Sequence, residues 1–85
     1  MSDRELRDIV LRSLRRVAPE VDPGEIDPDV PFQEQLDIDS MDFLNFIIGI
    51  AEATGVEIPE RDYPKVTSLN ACVAYLAERA VAPKA

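Results

Sequence analysis

The amino-acid sequence predicts an all-α fold: a small bundle of three main helices and a possible short fourth, with a long loop between the first and second helices. Apolar residues recur at helical spacing over residues 3–17, 40–53 and 68–80. No run of alternating apolar and polar residues is long enough to predict a sheet. The 85 residues, 46% of them hydrophobic, suffice for one small packed domain. We expect residues 1–82 to form it and residues 83–85 to be a frayed tail.

The first helix is predicted to run from Asp3 to Val17. Ser2 and Glu5 have the spacing of a capping box, in which each side chain accepts a hydrogen bond from the other residue's backbone N–H. Pro19 ends the helix. One apolar stripe is expected to face the core: Leu6, Ile9, Val10, Leu14 and Val17.

A connection rich in proline, residues 20–39, follows the first helix. A structureless loop of this length is unusual in a compact domain unless it packs down or is functional. A turn of helix over residues 32–36 is possible. Its apolar residues are expected to anchor it to the core: Val21, Ile26, Val30, Phe32 and Leu36.

The second main helix is predicted over residues 40–53, with Asp39 as the best N-cap candidate, Ser40 next, and Gly55 after its end. One face is expected to be core: Phe43, Phe46, Ile47 and Ile50. A flanking face is also apolar: Met41, Leu44, Ile48 and Ala51. Either the helix is buried broadly, or the flanking face is an apolar patch for a partner.

The segment after Gly55 is predicted to be an extended connection with one short helical turn. Pro64 could occupy the first turn of a helix but would break an interior position. The last helix is predicted over residues 68–80, capped by Thr67 or Ser68. Its apolar stripe contains Leu69, Cys72, Val73 and Leu76, with Tyr75 beside them.

Charge is distributed unevenly along the chain, whose net charge is −8. Thirteen of the seventeen acidic residues lie between Glu20 and Asp62, whereas five arginines lie on the first helix. Nucleic acid is a poor partner for this composition, and a basic protein surface is a good one. The aspartates of the connection lack the spacing and the glycine of a calcium loop, so we expect no metal site.

Other features limit where the protein can work. Cys72, the only cysteine, excludes an internal disulfide and is interpreted as a core thiol. The longest apolar stretch, residues 43–51, is too short to cross a bilayer, so membrane insertion is not expected. Since residues 1–5 lack an apolar signal region, we expect a cytoplasmic protein.

Ser40 is the most informative residue, because it lies where an acidic loop becomes a helix. A hydroxyl at this place is exposed and lies beside the positive end of the helix dipole, so it can carry a phosphate group. The chain contains no histidine to activate a serine nucleophile, which argues against a hydrolase. Ser40 is therefore interpreted as an attachment point. The alternative is a small helical interaction module in which Ser40 is only a helix cap.

Three blocks of sequence resemble the acyl carrier protein family. The first is Asp39-Ser40-Met41, with Leu36 four residues before the serine and an apolar helix after it. The second is Gly55-Val56-Glu57-Ile58-Pro59. The third contains Lys65-Val66-Thr67-Ser68-Leu69 and the apolar residues of the last helix. The resemblance covers nearly the whole chain, and the spacing between blocks matches without gaps.

The resemblance implies a carrier rather than an enzyme. A phosphopantetheinyl transferase would use coenzyme A to attach 4′-phosphopantetheine to Ser40, flanked by Asp39 and Met41. The thiol of this group would bear acyl groups as thioesters. Acyl-transfer and condensing enzymes with basic docking surfaces would be the partners, and the carrier would be a monomer.

The resemblance also assigns the surrounding residues. Partner recognition would involve Asp37, Asp42, Leu44, Asn45, Ile48 and Glu52, together with Asp39 and Met41. An acyl-chain pocket would open among Phe32, Phe46, Ile47, Ile50, Ile58, Leu69 and Tyr75. These seven are also ordinary core candidates.

The sequence departs from the family pattern at several positions. Asp37 occupies the place of a usual glycine, and Met41 that of a usual leucine. Asn45 and Ala51 stand where members serving fatty acid synthesis commonly carry glutamate, and Ala53 adds to this loss of charge. These changes point to a specialised lipid or secondary-metabolite pathway, such as polyketide synthesis, rather than (or besides) housekeeping fatty acid biosynthesis. The Gly-Gly-x-Ser pattern of peptidyl carriers is not matched.

Overall fold

A computed structural model describes residues 2–80, and every regular element in this part of the chain is a helix. The all-α prediction is therefore confirmed. The predicted tail, residues 83–85, lies outside the described residues. The α-helices are α1 (Asp3–Val17), the short α2 (Phe32–Gln35), α3 (Ser40–Thr54) and α4 (Leu69–Ala80), and two 3₁₀ helices cover Pro23–Glu25 and Glu60–Val66.

Helix α1 begins with the predicted capping box. The N–H of Ser2 donates to Glu5 Oε1 at 2.9 Å, and the N–H of Glu5 donates to Ser2 Oγ at 3.2 Å. Four of the five predicted stripe residues are buried, and Val17 is half-buried. Ser13 is buried as well, and its side chain lies opposite Gly49 of α3.

The connection between α1 and α3 is tied down by hydrogen bonds to the far end of the chain. The N–H of Phe32 donates to the carbonyl of Thr67 at 2.7 Å, and the N–H of Asn70 donates to the carbonyl of Pro28 at 2.9 Å. The possible helical turn is present as α2, and the 3₁₀ helix before it was not predicted. Of the five expected anchors, Val21, Ile26 and Phe32 are buried, Leu36 packs half-buried against the core, and Val30 is only half-buried.

Helix α3 presents different faces to the core and to solvent. Its four predicted core residues are all buried, and Gly55 after its end has φ 74°, the left-handed conformation that glycine adopts readily. The flanking face remains outside: Met41 is 68% exposed, Leu44 41% and Ile48 45%. A broadly buried α3 is therefore the wrong interpretation.

The last two elements complete the bundle. Ser68 caps α4, since its Oγ accepts a hydrogen bond from the N–H of Ala71 at 3.2 Å. Pro64 lies inside the 3₁₀ helix Glu60–Val66, so the expectation that it would break an interior position is wrong. Proline lacks only its own N–H, and a 3₁₀ helix has no i→i−4 bond for the ring to disrupt. No helix in residues 2–80 has the length and apolar character needed to span a membrane.

Candidate functional site

Ser40 is the first residue of α3, and its side chain is exposed. The residue before it, Asp39, is extended (φ −103°, ψ −174°) and is the N-cap. Among residues 2–80, no group hydrogen-bonds the Ser40 hydroxyl. Ser40 is thus not the cap of its helix, and its hydroxyl is free to react.

Asp39 and Asp42 hold the start of α3 through a reciprocal capping box. The N–H of Asp42 donates to Asp39 Oδ1 at 2.8 Å, and the N–H of Asp39 donates to Asp42 Oδ2 at 3.3 Å. This pairing was not predicted, although its i, i+3 spacing equals that of Ser2 and Glu5. The remaining N–H groups of the first turn lie at the positive end of the helix dipole, beside Ser40.

The residues expected to recognise partners lie together on the surface. At 100° per residue, Met41, Leu44, Asn45, Ile48 and Glu52 fall within an arc of about 100° on α3. All five side chains are exposed, as is Asp37 in the preceding loop, and Asp42 is half-buried. The arc begins at Ser40, so a partner that covers it also reaches the serine.

A groove of about 600 Å³ opens beside Ser40. Phe43 and Leu44 of α3 line one side, and Tyr63 and Thr67 line the other. The rings of Phe43 and Tyr63 meet edge to face, with centroids 5.9 Å apart. Tyr63 was not predicted to belong to the site. No pattern in residues 60–66 themselves indicates that this 3₁₀ helix lies against the start of α3.

The structure brings the seven residues of the expected acyl pocket into one buried cluster. Phe32, Phe46, Ile50 and Leu69 are fully buried, and the rings of Phe32 and Phe46 pack edge to face at 5.2 Å. The other three, Ile47, Ile58 and Tyr75, also line a second groove of about 720 Å³ at the surface.

A polar network closes one side of this second groove. The Tyr75 hydroxyl donates to Asp62 Oδ2 at 2.6 Å, and Lys65 Nζ lies 3.5 Å from Asp62 Oδ1. The hydrogen bond from Tyr75 is the main cause that lowers the pKa of Asp62, with Lys65 acting in the same direction. Burial, followed by the Asp62 hydrogen bond, raises the pKa of Tyr75. The Arg79 guanidinium lies 3.7 Å from the centroid of the Tyr75 ring.

Neither the Cys72 thiol nor a metal-binding cluster adds a reactive group within the described residues. Burial raises the pKa of the Cys72 thiol to about 12, so the nucleophilic thiolate is scarce at neutral pH. Among residues 2–80, no three acidic or thiol side chains are grouped so that they could hold a metal ion.

Known proteins resemble this chain over most of its length. Residues 4–76 match the family described as "Phosphopantetheine attachment site". The chain is similar to an acyl carrier protein of Rubrobacter xylanophilus, with 32% identity over 79 residues, which cover 89% of this chain and 98% of that protein. It is also similar to "Acyl carrier protein 2, mitochondrial" of Arabidopsis thaliana, with 32% identity over 73 residues. Those residues cover 86% of this chain and 57% of that protein.

Proposed function

The chain belongs to the phosphopantetheine attachment family, that of the acyl carrier proteins, and we propose that Ser40 is the residue that bears its cofactor. The protein is a carrier rather than an enzyme, and its cofactor is covalently attached 4′-phosphopantetheine. The assignment to Ser40 depends on one observation. Ser40 is the exposed first residue of a 15-residue helix, and Asp39, not Ser40, caps that helix.

The residues around Ser40 suit a bound phosphodiester. The capping box of Asp39 and Asp42 holds the first turn, and the N–H groups beside Ser40 favour an anion. The groove lined by Phe43, Leu44 and Tyr63 offers apolar surface next to the attachment point. When bound, the cofactor supplies a thiol that carries acyl groups as thioesters. Because the chain has no histidine to activate Ser40, the partner transferase must activate the hydroxyl.

Partner enzymes dock, in this proposal, on the exposed arc of α3. We call this arc, formed by Met41, Leu44, Asn45, Ile48 and Glu52, the docking arc. Its apolar centre consists of Met41, Leu44 and Ile48, which the core leaves outside. Acidic residues at the Ser40 end, Asp37, Asp39 and Asp42, attract a basic surface, giving fast and salt-sensitive association. The partners are a phosphopantetheinyl transferase and acyl-handling enzymes. The carrier acts as a monomer, since it must leave each enzyme after delivery.

The acyl chain is sheltered within the buried cluster. Ile47, Ile58 and Tyr75 line the surface groove and belong to the same core cluster as Phe46 and Leu69. Side chains in a packed core occupy nearly all of the space, so shelter requires these residues to separate. A longer acyl chain should therefore change the environment of the Tyr75 ring.

A specialised pathway is the second part of the proposal. The exposed arc of α3 carries Asn45, and Ala51 borders it, so no charge can meet a basic partner at these two positions. A housekeeping malonyl transferase and condensing enzyme should therefore process the modified protein poorly. Efficient turnover by both, at rates equal to those of a housekeeping carrier, would contradict this part alone.

The attachment is tested by intact mass after incubation with coenzyme A and a broad-specificity phosphopantetheinyl transferase. We expect one increment of a single phosphopantetheine on the wild type and none on Ser40→Ala. Circular dichroism checks that both are folded. A folded wild type without the increment would contradict the proposal and favour an unmodified interaction module.

A further inference from the structure

Two shallow depressions of about 400 and 190 Å³ adjoin each other where α1 crosses α3. They share Ser13, Arg16 and Gly49 among their lining residues. A Cβ on Gly49 would lie 3.5 Å from Ser13 Oγ, so the two helices approach closely here. We call the two depressions together the arginine groove.

The α1 side of the arginine groove is positively charged. Arg12 and Arg16 are one helical turn apart, both are exposed, and each lines a depression. Within residues 2–80, no carboxylate lies within 4 Å of either guanidinium. Their charge is therefore not neutralised by an ion pair, although the whole chain has a net charge of −8.

The α3 side of the arginine groove is nearly uncharged. Asn45, Gly49 and Ala53 follow one another at four-residue intervals, and Glu52 is the acidic residue that lines the larger depression. Ile48, 45% exposed, borders the same depression. The arginine groove is thus continuous with the docking arc.

The docking surface has opposite charges at its two ends. Asp37, Asp39 and Asp42 lie near Ser40. Arg12 and Arg16 flank the other end, where Glu52 reduces the net charge of the lining residues to +1. Asp42 and Gly49 are seven residues apart, which is about 10 Å along the helix axis. A partner that is basic throughout would meet attraction at the first end and repulsion at the second.

We propose that the arginine groove binds an acidic side chain of a partner enzyme, so that the partner's docking surface is basic near Ser40 and carries a carboxylate about 10 Å farther along α3. Guanidinium groups hold carboxylates well because their N–H donors can bind both oxygens. Such a pairing fixes the direction in which the carrier docks. The inference rests on the proposed function, since it concerns the same docking surface.

Stabilisation of the α1 dipole is another role for an arginine in its last turn, and Arg15 provides the control. Arg15 and Arg16 both lie in the last turn of α1. They are about 100° apart around the helix, and Arg15 lines neither depression. Arg15→Glu therefore changes the net charge and the dipole interaction as Arg16→Glu does, without altering the arginine groove.

The test uses a condensing enzyme in which lysine and arginine are the only charged residues of the docking surface. In each variant of this enzyme, one of these lysines or arginines is replaced by glutamate. Each enzyme is titrated with wild-type carrier and with Arg12→Glu, Arg16→Glu, Arg16→Gln and Arg15→Glu. We expect at least one glutamate variant to bind the wild-type carrier about 2- to 5-fold more tightly than its parent does. This gain should disappear with Arg12→Glu, Arg16→Glu and Arg16→Gln and persist with Arg15→Glu.

The inference is overturned if no glutamate variant gains affinity, or if the Arg15 and Arg16 variants respond alike to every enzyme. Thermal unfolding followed by circular dichroism excludes misfolding as the cause, and Arg16→Gln removes the charge without reversing it. The unmodified carrier is titrated too, and intact mass records phosphopantetheine attachment separately. A wild type that binds as expected but accepts no phosphopantetheine would contradict the proposed function alone.

Discussion

The first turn of α3 divides two tasks between neighbouring residues. Asp39 caps the helix with its carboxylate, and Asp42 returns a hydrogen bond to the backbone of Asp39. Ser40 takes no part in the capping, so its hydroxyl can be modified without removing a bond that holds the helix. The capping bonds of Asp39 and Asp42 therefore hold the start of α3 while the Ser40 side chain stays available for modification.

Removing the cap should destabilise the protein, whereas removing the hydroxyl should not. Asp39→Ala should lower the free energy of unfolding by about 1 kcal/mol, because the N–H of Asp42 loses its acceptor. Ser40→Ala should change it by less than about 0.5 kcal/mol. Urea denaturation measures both, and an equal loss for the two variants would show that Ser40 shares the capping.

The bond between Tyr75 and Asp62 should make stability depend on pH. The pKa of Asp62 is lowered in the folded state, so its contribution is present above the ordinary value of 3.8 and is lost as the pH falls through the folded value. Tyr75→Phe should therefore be less stable than wild type at pH 7, and the difference should shrink at pH values below 3.8. Urea denaturation of both proteins from pH 7 to pH 2.5 tests this, and a constant difference would contradict it.

Helix α3 packs one side against the core and leaves the other side, the proposed docking arc, exposed. Ile47 is 3% exposed within the core, whereas its neighbour Ile48 is 45% exposed on the docking arc. The same residue type thus has different consequences at adjacent positions, because the helix turns 100° between them.

Truncation of these two isoleucines should separate stability from docking. Ile47→Ala should cost about 2–5 kcal/mol, since it leaves a cavity in the core. Ile48→Ala should change the free energy of unfolding by less than about 0.5 kcal/mol yet weaken the affinity for the transferase. Denaturation and binding titrations measure these effects, and unchanged affinity for Ile48→Ala would argue against the docking arc.

Replacement by alanine should change the stability in opposite directions at Gly49, within α3, and at Gly55, directly after it. Gly49→Ala should stabilise the protein by about 0.5–1 kcal/mol, because the added Cβ makes only an ordinary contact 3.5 Å from Ser13 Oγ and glycine is a poor helix former. Gly55→Ala should destabilise it by about 1–2 kcal/mol, because φ is 74° there. Thermal unfolding of the two variants decides, and a loss of stability for Gly49→Ala would mean that α1 and α3 cannot accept a methyl group between them.

How far the sequence predicts each element depends on how local the signal is. The helices α1, α3 and α4 could be predicted because their apolar periodicity and caps lie within the segments themselves. The path of residues 20–39 could not, since its bonds join Phe32 to Thr67 and Asn70 to Pro28, more than thirty residues apart. The length of the 3₁₀ helix around Pro64 could not be predicted either, because the rule that proline breaks a helix applies to α-helices.

At the scale of the whole molecule, the bundle brings unlike charges onto one surface. Asp37, Asp39 and Asp42 lie near Ser40 in the chain. Packing of α1 against α3 places Arg12 and Arg16 beside the opposite end of the same arc. The exposed position of Ser40 at the start of α3 and the apolar face left outside the core could be predicted from sequence. Tyr63 and the arginine groove could not, because they depend on contacts between separate elements.

Site mapping of the modified wild type shows whether Ser40 is the residue that bears the cofactor. Trypsin cleavage after Arg16 and Arg61 gives a peptide, residues 17–61, in which Ser40 and Thr54 are the hydroxyl-bearing residues. Fragmentation under reducing conditions, which removes any disulfide adduct on Cys72, should place one phosphopantetheine on Ser40. An increment on Thr54 or on another peptide, or none on a folded protein, would contradict the account.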